Sequence, residues 1–164
     1  MGRDKATLEV DGVAMATRVG RALAAAGAAA VVCVGPAVDP YPAIAEDEPG
    51  EGPLGGVIAA LRWAAGRVVF VAACDLIAPD PAAIKAIVGG LGTASVAVPM
   101  RLGRDQPLTA AYAPAALHPL VAAYASGERS VRRALEGVDV VAIEGVDAAA
   151  LADADDPSEL PPVL

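Results

Sequence analysis

Asp75 closes the run Val68-Val-Phe-Val-Ala-Ala-Cys-Asp, and its position gives it the best claim to chemistry. The run is apolar enough to be a buried strand, and in an open parallel sheet ligands gather beyond the carboxyl ends of strands. A carboxylate there is costly without a partner. A Mg²⁺ ion shared with phosphate oxygens is one such partner, because Mg²⁺ takes one or two carboxylates plus substrate and water oxygens. The competing reading is that Asp75 caps the turn before Pro79. Glu51-Gly-Pro-Leu-Gly-Gly leads into a helical stretch. Its small residues would let backbone N–H groups approach an anion at a helix start; an ordinary turn and cap explains the same residues. Arg3-Asp-Lys5 places a lysine before a short extended segment and a turn, suited to neutralising phosphate or to lying in solvent. In Asp153-Ala-Asp-Asp-Pro-Ser-Glu-Leu, Asp153 and Asp155 would point the same way if extended, and could share a cation. A solvated acidic turn is the plainer account.

Other chemistries have little to work with. The one histidine, His118, sits between Leu117 and Pro119 in a helical stretch, which leaves nothing for a histidine metal site or triad. Cys33 and Cys74 both lie in apolar β-like runs and fit no zinc or redox spacing. A net charge of −8 argues against broad binding to nucleic acid or anionic membranes. Basic residues are nonetheless grouped, at Arg3 and Lys5, at Arg101 and Arg104, and at Arg129, Arg132 and Arg133. No apolar stretch approaches the ~18 residues needed to span a bilayer, and no signal peptide is legible, so a cytoplasmic protein is expected.

These residues need elements to hold them. Apolar spacing predicts a helix over 13–26, ended by Gly27, and a short buried strand over 30–34. A brief strand at 43–45 precedes a helix over 54–65, with Pro53 in its first turn. Residues 68–73 give the clearest strand, followed by a helix capped by Asp80 and running to 88. Strands at 94–98 and 108–112 flank a polar turn at 101–105. Helices over 114–125 and 130–135, a strand over 138–143 and a helical turn at 157–160 complete the chain. This alternation predicts one α/β domain over residues 1–164, its sheet mostly parallel and covered on both faces. Aromatics are 3% of the residues, so the core must be aliphatic.

Taken in order, Met1-Gly-Arg-Asp-Lys-Ala-Thr-Leu, Gly52-Pro-Leu-Gly-Gly, Cys74-Asp75, Gly103-Arg-Asp-Gln-Pro-Leu, Gly127-Glu-Arg-Ser-Val-Arg and Asp155-Asp-Pro-Ser-Glu-Leu form a series. The series resembles the molybdenum cofactor guanylyltransferases, within the sugar-nucleotide type of nucleotidyltransferase, over essentially the whole chain. That resemblance implies a Rossmann-like three-layer fold and Mg²⁺-dependent transfer of GMP from GTP to molybdopterin, with pyrophosphate released. It implies that Lys5 contacts the GTP phosphates and Asp75 ligates Mg²⁺, with Asp155 as a further metal candidate. Gly35 and Asp47 match nucleotide-contacting positions, and Gly52, Pro53, Leu54 and Gly55 would line the site. Arg101, Arg104, Gln106, Pro107, Arg129 and Ser130 would face the molybdopterin, and molybdoenzymes or their chaperones would be partners.

The chain departs from that pattern twice. The family opens with a strand in the middle of the sheet and a Leu-Ala-Gly-Gly-x-Ser-x-Arg phosphate loop immediately before the Met-Gly that is residue 1 here. The expectation is therefore a domain incomplete at its N-terminus, unable by itself to turn over GTP and prone to fold poorly. Asp153 and Asp155 stand where guanylyltransferases often carry Asn-x-Asn. Two other readings follow: a cytidylyltransferase or other nucleotidyltransferase of the same fold, and a non-catalytic module that binds the cofactor.

Overall fold

A computed structural model describes residues 8–10 and 12–153. Lys5, Asp155 and the helical turn expected at 157–160 lie outside the described residues. The chain runs β1 (Glu9–Val10), β2 (Val13–Ala14), α1 (Met15–Ala25), β3 (Cys33–Val34), β4 (Ala43–Ile44), α2 (Pro53–Trp63) and β5 (Val69–Ala72). It continues through α3 (Pro81–Gly89), β6 (Val96–Arg101), β7 (Arg104–Asp105), β8 (Thr109–Tyr112), α4 (Leu117–Ala125), α5 (Val131–Ala134) and β9 (Val140–Ile143). The helices and longer strands expected over 13–143 are observed in that order, whereas residues 13–14 form a strand with 9–10 and residues 104–105 a strand not expected from the sequence. Local chemistry sets several boundaries: Pro53 opens α2, and the Asp80 carboxylate accepts the Ala82 N–H at 2.9 Å to cap α3.

The main sheet has the order β5-β8-β6, with β9 on the far side of β6 and β7 folded back on the end of β6. Strand β8 is antiparallel to both β5 and β6, so those two run the same way, and β9 is parallel to β6. Successive side chains of these strands feed opposite helical layers. Val96, Val98, Ala110 and Tyr112 join Leu54, Val57, Ile58, Leu61 and Leu120 on one side, under α2, α4 and α5. Ala97 and Ala111 join Ile87, Leu91 and Leu151 on the other, under α3. Three layers result, as the composition requires: small aliphatic side chains let helices sit close on the sheet.

The polar turn expected at 101–105 is a hairpin. Arg101 pairs with Arg104, leaving only Leu102 and Gly103 as the turn, with φ of 50° and 74°. Two consecutive left-handed residues give the tight reversal that matches strand twist. A leucine in that region is strained, and it is 85% exposed, so no packing compensates it.

The strand expected over 30–34 is reduced to Cys33 and Val34, paired in parallel with β4 and separate from the main sheet. Between β3 and β5 lies an apolar slot of about 890 Å³, walled by residues 31–34 and 68–72. Helix α2 closes one face of it, and α1 with α3 the other. The slot stands between the β3–β4 pair and the β5 edge of the main sheet. Its walls are two strand edges. The Cys33 N–H donates to the Pro42 carbonyl and the Gly35 N–H to that of Ile44, which turns the backbone of Val32 and Val34 toward the slot. The Ala73 N–H donates to Leu108, which fixes the alternation on β5 and turns Phe70 and Ala72 toward the slot. Trp63, Val68 and Val88, exposed at 46%, 48% and 38%, are large apolar residues lining this same space. Among the described residues no strand covers the slot, which accounts for both the short β3 and the exposed apolar residues. Hydrogen exchange resolved to single amides should therefore alternate along β5. Val71 and Ala73 should be protected and Phe70 and Ala72 not, whereas equal protection of all four would show the β5 edge to be paired.

Candidate functional site

The site follows from the reversal of β8. Because β5 and β6 run together and β8 runs back between them, the carboxyl ends of β5 and β6 share a rim with the entry to β8. Asp75 leaves β5 on this rim and is half-buried. The Ala73 N–H donates to the Leu108 carbonyl at 2.7 Å, which places the Gln106-Pro107 corner beside the approach to Asp75. That corner is firmly held: Gln106 N–H donates to Pro99 and Thr109 N–H to Gln106, both at 3.0 Å. The hydroxyl of Tyr112 donates to the Pro107 carbonyl at 2.6 Å. Burial pushes the Tyr112 phenol far above its ordinary range, so it stays a neutral donor. Arg132 reaches the Asp105 carbonyl at 2.8 Å and ties the hairpin to α5.

Asp153 arrives at the same rim from the far end of the described chain. It bridges Leu76 in antiparallel fashion, and Ile77 N–H donates to Ala152 at 2.9 Å. Its carboxylate lies 3.7 Å from the Arg101 guanidinium. Asp75, Arg101, Gln106, Pro107 and Asp153 are thus gathered on one edge, while Arg104 stands exposed on the hairpin. The helix cap next to Asp75 is supplied by Asp80.

A second group surrounds the start of α2. Gly52 takes φ of +97°, a conformation that favours glycine, and a Cβ there would lie 3.3 Å from Arg129. Leu54 is fully buried, and its N–H donates to the Arg129 carbonyl at 3.4 Å. Gly55 faces Tyr124 and Glu46. Asp47 is exposed and ion-paired with Arg62. Gly35, φ +97°, leaves β3 with its N–H donated to Ile44. Ser130 caps α5, so its side chain is employed locally. Among the residues named from the sequence, those of the first group meet at the sheet rim, and those of the second lie along α2, with Gly52 to Gly55 at its start and Asp47 paired to Arg62 of its last turn.

The family described as MobA-like NTP transferase domain matches residues 1–143. The chain belongs to that family. A protein of Chloroflexus aggregans named "Probable molybdenum cofactor guanylyltransferase" is 34% identical over 107 residues. The aligned part covers 63% of this chain and 49% of that relative, about half its length. Among solved structures, molybdopterin-guanine dinucleotide biosynthesis protein A from Archaeoglobus fulgidus superposes with a TM-score of 0.71 at 18% identity, covering 96% of this chain and 87% of its own. The 2-C-methyl-D-erythritol 4-phosphate cytidylyltransferase of Thermus thermophilus gives 0.73 at 18% identity, with coverage of 94% and 89%. Both likenesses show the fold alone, α/β of the nucleotide-diphospho-sugar transferase type.

In this NTP transferase domain, sequence reasoning missed the residues that brace the site. Tyr112 was legible only as a strand residue, and Tyr124 and Glu48 only as members of a helix and an acidic loop. Glu128 stood inside the Gly127-Glu-Arg-Ser motif, where a signal for it did exist. Its carboxylate accepts the N–H groups of Arg129 and Ser130, each at 2.7 Å, and pairs with Arg133 at 3.0 Å. Those two backbone donors, then Arg133, hold its pKa below the ordinary glutamate range. A carboxyl depressed on folding adds stability that is present above its unfolded pKa and lost as pH falls through the folded value. Urea midpoints measured from neutral pH into the acid range should therefore fall less steeply for Glu128→Gln than for the native chain. Equal acid slopes would remove Glu128 from this role.

Proposed function

We infer that this chain is the body of a molybdenum cofactor guanylyltransferase, moving GMP from GTP to the phosphate of molybdopterin and releasing pyrophosphate. The observation that carries this is Asp75 on the rim shared by β5, β6 and β8, beside the Gln106-Pro107 corner, in a chain of the NTP transferase family. The name of the Chloroflexus relative supports the choice of substrate.

Mg²⁺ is the implied metal, and the donor set suits it. Among the described residues no group of three or more His, Cys, Asp or Glu forms an all-protein cage. Asp75, with Asp153 brought alongside by the Leu76 bridge, offers the one or two carboxylates that Mg²⁺ takes when substrate and water oxygens complete its shell. Bound there, Mg²⁺ would neutralise charge on the triphosphate. The chain's own part is positioning. An oxygen of the molybdopterin phosphate forms the new bond to the α-phosphorus of GTP, and the bond from that phosphorus to the bridging oxygen breaks as pyrophosphate leaves. The attacking phosphate is already ionised, so no general base is needed, which fits a chain with one histidine. In-line placement and charge neutralisation supply the catalysis. Gln106 and Pro107, fixed by Tyr112, would face the acceptor, and Arg101, held by Asp153, would lend positive charge. Lys5 would meet the triphosphate and Asp155 would stand near the metal; Gly35, Asp47 and the stretch from Gly52 to Gly55 would border the nucleotide.

The test uses the full-length protein. GTP with Mg²⁺ should raise its melting temperature more than CTP with Mg²⁺, since a ligand at about 100 times its Kd adds roughly 2.7 kcal/mol. Asp75→Ala should lose the Mg²⁺-dependent part of that rise and all pyrophosphate release. Preference for CTP would replace guanylyl by cytidylyl transfer, and molybdopterin binding without any pyrophosphate release would leave a cofactor-binding module.

A further inference from the structure

We propose that Arg129 is a positioning residue: it clips the acidic loop of residues 46–52 to the turn between α4 and α5, and so fixes the backbone entering α2. This rests on the reading of that backbone as the border of a nucleotide site. The sequence resemblance gave Arg129 to the cofactor side, but its guanidinium is engaged within the chain. The Nη1 group lies 2.9 Å from the Tyr124 carbonyl and 3.0 Å from that of Glu128, so both of its hydrogens have backbone acceptors. The Nε–H points to Glu51 at 3.5 Å, and Nη2 lies 3.9 Å from Glu48. The plane of the group covers the Tyr124 ring at 3.9 Å. The Tyr124 hydroxyl closes the circuit by donating to Glu48 at 2.9 Å.

The main chain of Arg129 does the rest. Its carbonyl accepts the Leu54 N–H at 3.4 Å, and its Cβ and carbonyl fill the space a side chain at Gly52 would need. Loop, helix start and turn are therefore locked at one residue. Charge points the same way. Glu48 and Glu51 pair with Arg129 and Glu128 with Arg133, so the charge of Arg129 is compensated within the chain. A lysine cannot replace this arginine, because a point charge neither forks between two carbonyls nor stacks on a ring.

Arg129→Lys, Arg129→Ala and the double variant Glu48→Gln with Glu51→Gln test the clip. Hydrogen exchange at the Leu54 amide should quicken on the order of tenfold in the arginine variants and to a smaller degree in the double variant. The KM for GTP should rise in all three while the KM for molybdopterin stays put. A rise confined to the molybdopterin KM, with the Leu54 amide unmoved, would overturn the proposal and make Arg129 an acceptor contact. Full native behaviour of Arg129→Lys would overturn it too. If Arg129→Ala fails to fold, the lysine and double variants still decide. If no nucleotide binds at all, the functional reading fails, yet the exchange at Leu54 still reports on the clip.

Discussion

Strand β8 is hydrogen-bonded on both of its edges, to β5 and to β6, while running against both. That placement carries two obligations. Its four residues are all buried and must satisfy two helical layers at once, which they do with Ala110 and Tyr112 facing one way and Ala111 the other. It must also be entered from the rim where β5 and β6 end, and this brings the Gln106-Pro107 corner to Asp75. An all-parallel arrangement of these strands would have sent that corner to the opposite edge. The Tyr112 hydroxyl, reaching from the last residue of the strand back to Pro107, uses the same burial to stiffen the corner. Core packing and site geometry are therefore one constraint, not two.

The slot beside β5 shows the converse. Where a strand has partners on both edges, as β8 does, it is completely buried; where one edge has no partner among the described residues, as in β5, every residue stays partly exposed. The β3 pair is shorter still and belongs to its own small sheet. Helix α2 spans the two pieces, packing on the β3–β4 pair and on β5 alike. Apolar contact through that helix, together with α1 against α3, holds the halves together across a gap that no strand pairing among the described residues bridges.

Much of this was legible from local chemistry, because local chemistry is what sequence patterns record. The uninterrupted run before Asp75 marked β5, and Gly27, Pro53 and Asp80 marked helix ends through backbone freedom, a missing N–H and a capping carboxylate. The hairpin at 101–105 read as a loop because its residues are polar; what makes it a hairpin is a left-handed leucine, which no propensity favours. The length of β3 was overestimated for a different reason: β-propensity measures fit to neighbours, and among the described residues β3 pairs with β4 alone. Long-range meetings left no trace at all. Asp153 beside Leu76, and Tyr124 against Glu48, join residues dozens of positions apart, and nothing in either segment announces the other.

Electrostatics explains why an acidic chain is compatible with an anionic substrate. A net charge of −8 repels polyanions at a distance, but screening within about 10 Å leaves near neighbours in control. Near the rim, Asp153 offsets Arg101 and holds it in place, so the guanidinium is oriented before any ligand arrives. Preorganised charge of this kind costs no reorganisation at the moment it is used. At the start of α2, Glu48 and Glu51 pair with Arg129 and Glu128 with Arg133, and the positive charge is spent on structure. The two arginine groups that looked alike in sequence therefore do different work. One is set beside a carboxylate at the edge of the sheet, and the other is consumed in holding a loop.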